Sequence, residues 1–342
     1  MSFKRLETDD FVVSSDSISS TLWSDNTPTL TTFHSSSTQE AGSSGDYYLN
    51  VYQTASGDAS AAVQFAIAYG NSKGSGSLVY NLDVDGKSPT STIYGQYQNL
   101  VLGDENTDFA FGDYTANEFF ALSIDRARYK EKIFLGSLTL KLTEGSDELV
   151  LTDDSAYAPS VQFNEAGRVF QLISGSAGVK NDSVNSTGYS NSGSYGWILP
   201  DIGTILLNPQ ALAASTANGG IAFAYDGSAS GSAAPTTSPN RDLYLAVSAS
   251  GEFKLNSEET ITSDYIFIRP RSSEFNYSEN PSFISGSTGE VVHSDFINNP
   301  QVYLTTVGLY NDSNELLAVA KLSRPLLKDF TKEALVRVKL DF

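Results

Sequence analysis

The sequence predicts a mainly β protein: sandwich-like or barrel-like antiparallel sheets with long Gly/Ser loops, an extended N-terminal arm and few short helices. Three observations predict it. Short aromatic and β-branched runs recur along the chain, each bounded by Gly, Asn, Asp, Ser or Pro, the residues that supply turn conformations. Near the C-terminus apolar and polar residues alternate with the period of two that a half-buried strand requires. Helical stripes are scarce, so the strands are not spaced by the helices of a βαβ repeat.

The elements follow in order. Residues 14–45 are dense in Ser and Thr, with Leu22, Trp23, Leu30 and Phe33 spaced through them. Such an arm, bounded at 1–45, is too polar for a core of its own, yet its apolar residues can lie along another surface. A β domain is expected over 46–173, with strands at 47–53, 63–69, 78–82, 137–142 and 169–173. The run 93–102 stays open between helix and strand: Ile93, Tyr97, Leu100 and Val101 fit a helical stripe, and Gly95 weakens it. A Gly/Ser-rich excursion spans 174–240, where 174–196 and 226–240 read as long loops around an apolar island from Trp197 to Tyr225. Within it a short helix is expected at 209–214, with Pro209 in its first turn, and a strand at 221–225. A C-terminal β region, 241–342, opens with a strand at 243–247. A hairpin follows, with strands at 303–310 and 315–322 around the polar turn 311–314. Pro325 is expected to stop the pairing. The chain ends in a strand, in which Val336, Val338 and Leu340 alternate with Arg337, Lys339 and Asp341 up to Phe342.

Composition removes whole classes of function. The chain has 342 residues, with 21 Lys and Arg against 40 Asp and Glu, for a net charge of −19. That excess opposes binding to nucleic acid or anionic membranes, whose phosphates repel it. Cysteine is absent, which excludes disulfides, thiolate zinc sites, iron–sulfur clusters and a cysteine nucleophile. Two histidines cannot build a three-histidine metal site, although mixed carboxylate sites stay open. No run of 18 apolar residues exists, so no membrane span is expected. Residues 1–30 carry Lys4 and Arg5 but no apolar stretch after them, so no secretory leader is expected.

Each motif that suggests chemistry has a plainer reading. Asp83-Val84-Asp85-Gly86 resembles the centre of a calcium loop, but the first and twelfth loop positions are Asn81 and Thr92, so a simple Asp-Gly turn is preferred. Gly86-Lys87-Ser88 lacks the upstream glycine of a phosphate loop. Asp153 and Asp154 offer a carboxylate pair for acid–base work, or a strand-ending turn in which Asp side chains cap backbone amides. His293-Ser294-Asp295 sets three triad residue types side by side, yet no nucleophile elbow accompanies them. No catalytic, cofactor-binding or metal-binding residue is assigned.

The interface candidates are better marked. Arg126 and Arg128 belong to the one dense basic cluster of the first 260 residues, which suits ion pairing within or between subunits. Arg269 and Arg271, with Glu274, Asn276 and Tyr277, combine two guanidinium forks and aromatics beside Pro270, as in an ordered interface loop. Residues 321–342 hold six basic and three acidic residues, so a basic end sits on an acidic body. That end, with Arg337, Lys339 and Phe342, suits contact with a neighbouring subunit. It suits equally an edge strand guarded by Lys and Arg.

The segment 267–283, from Phe267 through Arg269-Pro270-Arg271 to Phe283, resembles a stretch of virion structural proteins of T-even-like contractile-tailed bacteriophages, including those of cyanobacteria. Residues 305–312, 316–323 and 336–342 are similar to that family too, as are 20–33, 63–70 and 126–132. The likeness touches most of the chain and is weakest across 174–240. It implies a baseplate-wedge-like virion protein, made in the host cytoplasm, whose partners are other tail subunits and copies of itself. It brings no catalytic residues.

The favoured expectation is therefore a non-enzymatic structural subunit of a contractile tail. A tail fibre or receptor-binding module contacting host glycan is a rival, as is a neck or head-vertex protein. A glycan-degrading enzyme using Asp153 or Asp154 is a third.

Overall fold

The computed structural model describes residues 3–35, 40–42, 45–76, 88–112, 114–184, 195–225 and 238–341. The strand expected at 78–82, the Asp-Gly turn at 83–86, Phe342 and much of the two Gly/Ser loops lie outside them. The fold is mainly β, with 42% of residues in strands against 14% in helices. Strands therefore run at about twice the 20–25% usual for globular domains.

In chain order the first strands are β1 (Phe11–Thr21), β2 (Thr29–Leu30), β3 (His34–Ser35), β4 (Glu40–Gly42), β5 (Gly45–Tyr52) and β6 (Val63–Asn71). Helix α1 (Pro89–Leu102) precedes β7 (Phe109–Phe111), β8 (Tyr114–Ala116), β9 (Glu118–Ile124), β10 (Lys132–Ile133), β11 (Thr139–Glu144) and β12 (Asp147–Asp153). Next come β13 (Gln162–Asn164), β14 (Gly167–Ser176), β15 (Val179–Lys180), β16 (Gly196–Leu199), β17 (Thr204–Leu207) and helix α2 (Pro209–Ala213). Helix α3 (Pro239–Ser250), β18 (Phe253–Lys254), β19 (Asn256–Ile268), helix α4 (Asp295–Asn298), β20 (Val302–Tyr310), β21 (Leu316–Lys328) and β22 (Val336–Asp341) complete the chain.

Two compact units result: Ile18–Glu259, and Met1–Ser17 with Thr260–Phe342. These bounds differ from the shifts in composition at 45, 173 and 240. Strand pairing sets them instead, and the divide falls inside β1 and β19. The start of β19 pairs with β10 in the larger unit, Ser257 opposite Ile133. Its end pairs with β22 in the smaller unit, from Ser263 opposite Asp341 to Ile268 opposite Val336.

In the larger unit, fourteen of the described strands join one antiparallel sheet that curls into a half-barrel. Its main path runs β2, β18, β11, β12, β14, β16, β17, β9, β6, β5, β3. The side-chain period of two divides β9 between two cores. Phe120, Leu122 and Ile124 enter the larger core with Phe65, Ile67, Tyr69, Ile205 and Leu207. Phe119 and Ala121 face the other way, into a second core with Ile93, Tyr94, Phe109, Phe111 and Leu206. Strands buried on both faces explain why so many central runs are continuously apolar. The Ser/Thr-rich arm lies along this sheet as expected: Leu22, Trp23 and Leu30 are buried in the larger core, and β2 pairs with β18.

Four expectations are corrected or settled. The open segment 93–102 is helical, within α1, which begins at Pro89 after Ser88 and ends at Gly103, φ +68°. A left-handed glycine is the common helix stop. The strand expected at 243–247 is instead helix α3, between Ser238-Pro239 and Gly251, φ +61°. Leu243, Ala246 and Val247 are its buried stripe, at spacings of three and four. No strand forms at 221–225. Ala222 there has φ +50°, and the amides of Ile221 and Phe223 both bond the Leu212 carbonyl, so the segment wraps the end of α2. Pro325 does not stop pairing. β21 continues to Lys328, and the register jumps from Thr306 opposite Lys321 to Leu304 opposite Leu326. Residues 322–325 bulge there, and a bulge accommodates a residue without an N–H.

The smaller unit is built differently. Two-stranded β20–β21 pairs with no other strand among the described residues. Val336, Leu340 and especially Val338 turn inward on β22 while Arg337, Lys339 and Asp341 stay exposed, the alternation read in the sequence.

Candidate interaction surface

The smaller unit buries few large apolar side chains. Of the buried hydrophobics among the described residues it supplies Ile266, Phe283, Val302, Ala334 and Val338, and neither of the two cores includes any of its residues. It nevertheless supplies 14 of the 22 large hydrophobic side chains that stand exposed among the described residues. Tyr303 is 65% exposed, Leu317 68% and Val319 60%, all on the β20–β21 ribbon. Val13, on β1, is 66% exposed, and Phe11, Val12, Phe330 and Leu335 are exposed with it. Scattered exposed hydrophobics are ordinary, but a concentration on one unit marks a contact surface.

Polar side chains brace this unit from within. The Lys328 ammonium is fully buried and donates to the Ser272 carbonyl at 2.9 Å, Asn276 Oδ1 at 2.8 Å and the Asp329 carbonyl at 2.9 Å. Asn276 returns a bond from Nδ2 to the Ser272 carbonyl at 2.7 Å. This candidate interface residue is thus an internal strut. Glu274 accepts from the Arg271 amide at 2.8 Å and from Lys4 Nζ at 2.9 Å. The Arg271 amide and then the Lys4 ammonium hold its carboxyl below the ordinary range. Tyr277 stays exposed, edge-on to Phe283 at 5.5 Å. Arg269 and Arg271 are exposed on the same loop. On β22, Arg337 lies 5.6 Å and Lys339 5.8 Å from the Tyr265 ring. Lys339 also pairs with Asp341 at 2.9 Å. That bond lowers the Asp341 carboxyl, with help from the Ser263 hydroxyl, and raises the Lys339 ammonium.

Arg126 and Arg128 belong to the larger unit. Arg126 donates to the Tyr129 carbonyl at 2.6 Å and sits 4.7 Å over the Tyr129 ring. Its neighbours form ion pairs within the unit, Lys130 with Glu259 at 2.7 Å and Lys132 with Glu258 at 3.7 Å. Arg128 is half-buried, and its Nε has no hydrogen-bond partner among the described residues.

The chemical motifs take structural roles. Asp153 is fully buried and accepts the Gly136 amide at 2.9 Å, while Asp154 accepts the Gln171 amide at 2.9 Å. Both thus cap backbone amides at a strand end. Burial raises the Asp154 carboxyl. His293 packs edge-on to Phe296 at 5.6 Å, and Ser294 and Asp295 begin the four-residue α4. Glu118 is buried in the larger unit, bound by the hydroxyls of Tyr69 and Tyr225. An open groove of about 600 Å³ lies elsewhere on that unit, lined by Lys141, Glu148, Ser174, Asn181 and Glu252 among others. Lys141 and Glu148 close on each other across 2.8 Å. No group of three or more metal-binding side chains occurs among the described residues.

The apolar exposure of the ribbon and of β1 was not anticipated from sequence. The signal was present: β20 carries no charged residue on either face. No family model, curated protein or solved structure matches this chain.

Proposed function

We propose that this chain is a non-enzymatic structural subunit of a contractile bacteriophage tail, a baseplate wedge component that acts through contacts with other subunits. One observation carries the reading: a unit of 100 residues keeps five hydrophobic side chains buried and leaves fourteen large ones exposed, among the described residues. A two-stranded ribbon that pairs with no third strand among the described residues is marginal alone and gains stability when a neighbour covers it. The resemblance of segments 267–283, 305–312 and 316–323 to contractile-tail virion proteins supplies the setting. The charge of −19 supports the same reading, because like-charged free subunits stay apart until specific surfaces meet. The chain is then made in the host cytoplasm and ends in the virion.

The test is composition and position. Mass spectrometry of purified particles should find the chain in a fixed ratio to the tail proteins, and an electron-microscopy map should place it in the baseplate with Tyr303, Leu317 and Val319 covered. Absence from mature particles, or a position in which those side chains face solvent, overturns the reading.

A further inference from the structure

We propose that the N-terminal segment 3–6 is a strap that latches the tip of the β20–β21 ribbon to the rest of the smaller unit. At the base of the ribbon Val302 and Lys328 stand opposite each other, and both are buried. From there the two strands run out paired with each other and with no third strand among the described residues. Over residues 303–327 a single ring contact joins the ribbon to a segment outside it, and no hydrogen bond or ion pair does, among the described residues. That contact is Phe3 set edge-on to Tyr310, the last residue of β20, at 5.3 Å and 82°.

The place that Phe3 takes is shaped for a ring. Gly308 precedes Tyr310 by two residues, on the same side of the strand. A Cβ at Gly308 would meet the Tyr310 ring at 3.0 Å and Leu316 Cδ1 at 3.3 Å, so the missing side chain lets the Tyr310 ring lie back along the strand beside Phe3. The next residue takes a second hold. Lys4 Nζ donates to Glu274 Oε2 at 2.9 Å, and the Arg271 amide donates to that same oxygen at 2.8 Å. Two successive residues thus grip two parts of the unit, the hairpin tip and the 271–274 turn. Behind them the chain is stiffened just before β1 pairs with β19: the Glu7 amide donates to Asp10 Oδ2 at 3.0 Å, and the Asp10 amide to the Glu7 carbonyl at 3.0 Å. Both grips leave their side chains partly in solvent, so the strap is a latch that can open rather than a lock.

The strap concerns the free chain, so it stands or falls whether or not the chain is found in particles. It grips only a formed hairpin, and therefore lowers the open fraction of the ribbon as a ligand would. One edge-on ring pair and one exposed ion pair together are worth about tenfold in that fraction. Hydrogen exchange of the purified full chain, read by mass spectrometry, tests it. Amides of 306–317 should exchange about tenfold faster in the double variant F3A/K4Q than in the natural protein, while those of β9 and β17 keep their rates. F3A alone should speed the same amides severalfold, and F3Y, which keeps a ring, should leave them at the natural rate. Equal rates over 306–317 in the natural protein and F3A/K4Q overturn the inference. So does an F3Y variant that exchanges as fast as F3A, or a speeding that spreads equally to β9 and β17.

Discussion

Glycines show how single positions decide the larger unit. At Gly196 φ is +135°, and an added Cβ would lie 1.9 Å from the Leu206 carbonyl oxygen on the paired strand. Both the backbone and the space require glycine, so Gly196→Ala should cost about 3 kcal/mol, read as a lower denaturant midpoint with unchanged slope. Gly95 is the opposite case. It sits inside α1 with nothing within 4 Å of a Cβ, so its freedom serves no contact. Gly95→Ala should therefore stabilise by about 0.5–1 kcal/mol, through helix propensity and a less free unfolded chain. In the smaller unit Lys328 carries a comparable burden. Lys328→Met removes the ammonium from three acceptors, two carbonyls and Asn276 Oδ1, and leaves them unmatched in a buried place. Unsatisfied buried acceptors cost about 1–3 kcal/mol each, so the variant should expose the 272–276 turn to faster amide exchange.

At the scale of elements, the two cores of the curled sheet are unusually rich in tyrosine hydroxyls taken out of water. Burial raises Tyr94 and Tyr195 to about 12. It raises Tyr69, Tyr97 and Tyr225 as well, and the Glu118 carboxylate adds to the effect at Tyr69 and Tyr225. Each hydroxyl keeps its proton in the folded chain to a higher pH than in the unfolded chain, where the ordinary value is 10.0. Stability is thus undiminished below that value and falls as pH rises beyond it. An absorbance titration should separate into an early set of exposed tyrosines and a late set that ionises only as ellipticity is lost; a single phase with the fold intact would contradict it. These elements were unevenly legible in the sequence. The strands of β5, β6, β11, β14, β20 and β22 stood out because alternation or β-branched runs mark them directly. Helix α3 was hidden because Leu243 to Val247 is too short and too apolar for periodicity to assign. Its ends, Pro239 and Gly251, carried the answer. Residues 221–225 look like a strand by composition, and only the turn back onto Leu212, with Ala222 at positive φ, prevents one. The interface candidates show the same limit. Charge and aromatic content single out Asn276 and Tyr277 alike, yet one is buried on Lys328 and the other is exposed, a difference set by contacts 52 residues away in sequence.

For the molecule as a whole, the unequal sharing of buried surface sets the order of opening. Local stability follows buried apolar contact, so amides of β9, β17 and β6, with a core on each face, belong to the most protected class. Amides of β20 and β21 rest on a ribbon of two strands in which Val302 is the single buried hydrophobic side chain, and they should exchange orders of magnitude faster in the free chain. The proposed role adds a second half to this expectation. If neighbouring subunits cover the ribbon and β1, assembly converts these fast amides into slow ones while β9 and β17 change little. Hydrogen exchange read by mass spectrometry on the free chain and on whole particles distinguishes the outcomes. Protection gained across 302–328 and 11–21 is what contact through these surfaces requires. Protection gained instead around the groove of Lys141, Glu148 and Glu252 would move the working surface to the larger unit and favour ligand recognition there. The comparison is sharp because the ribbon and the groove lie in different units and are reported by different peptides.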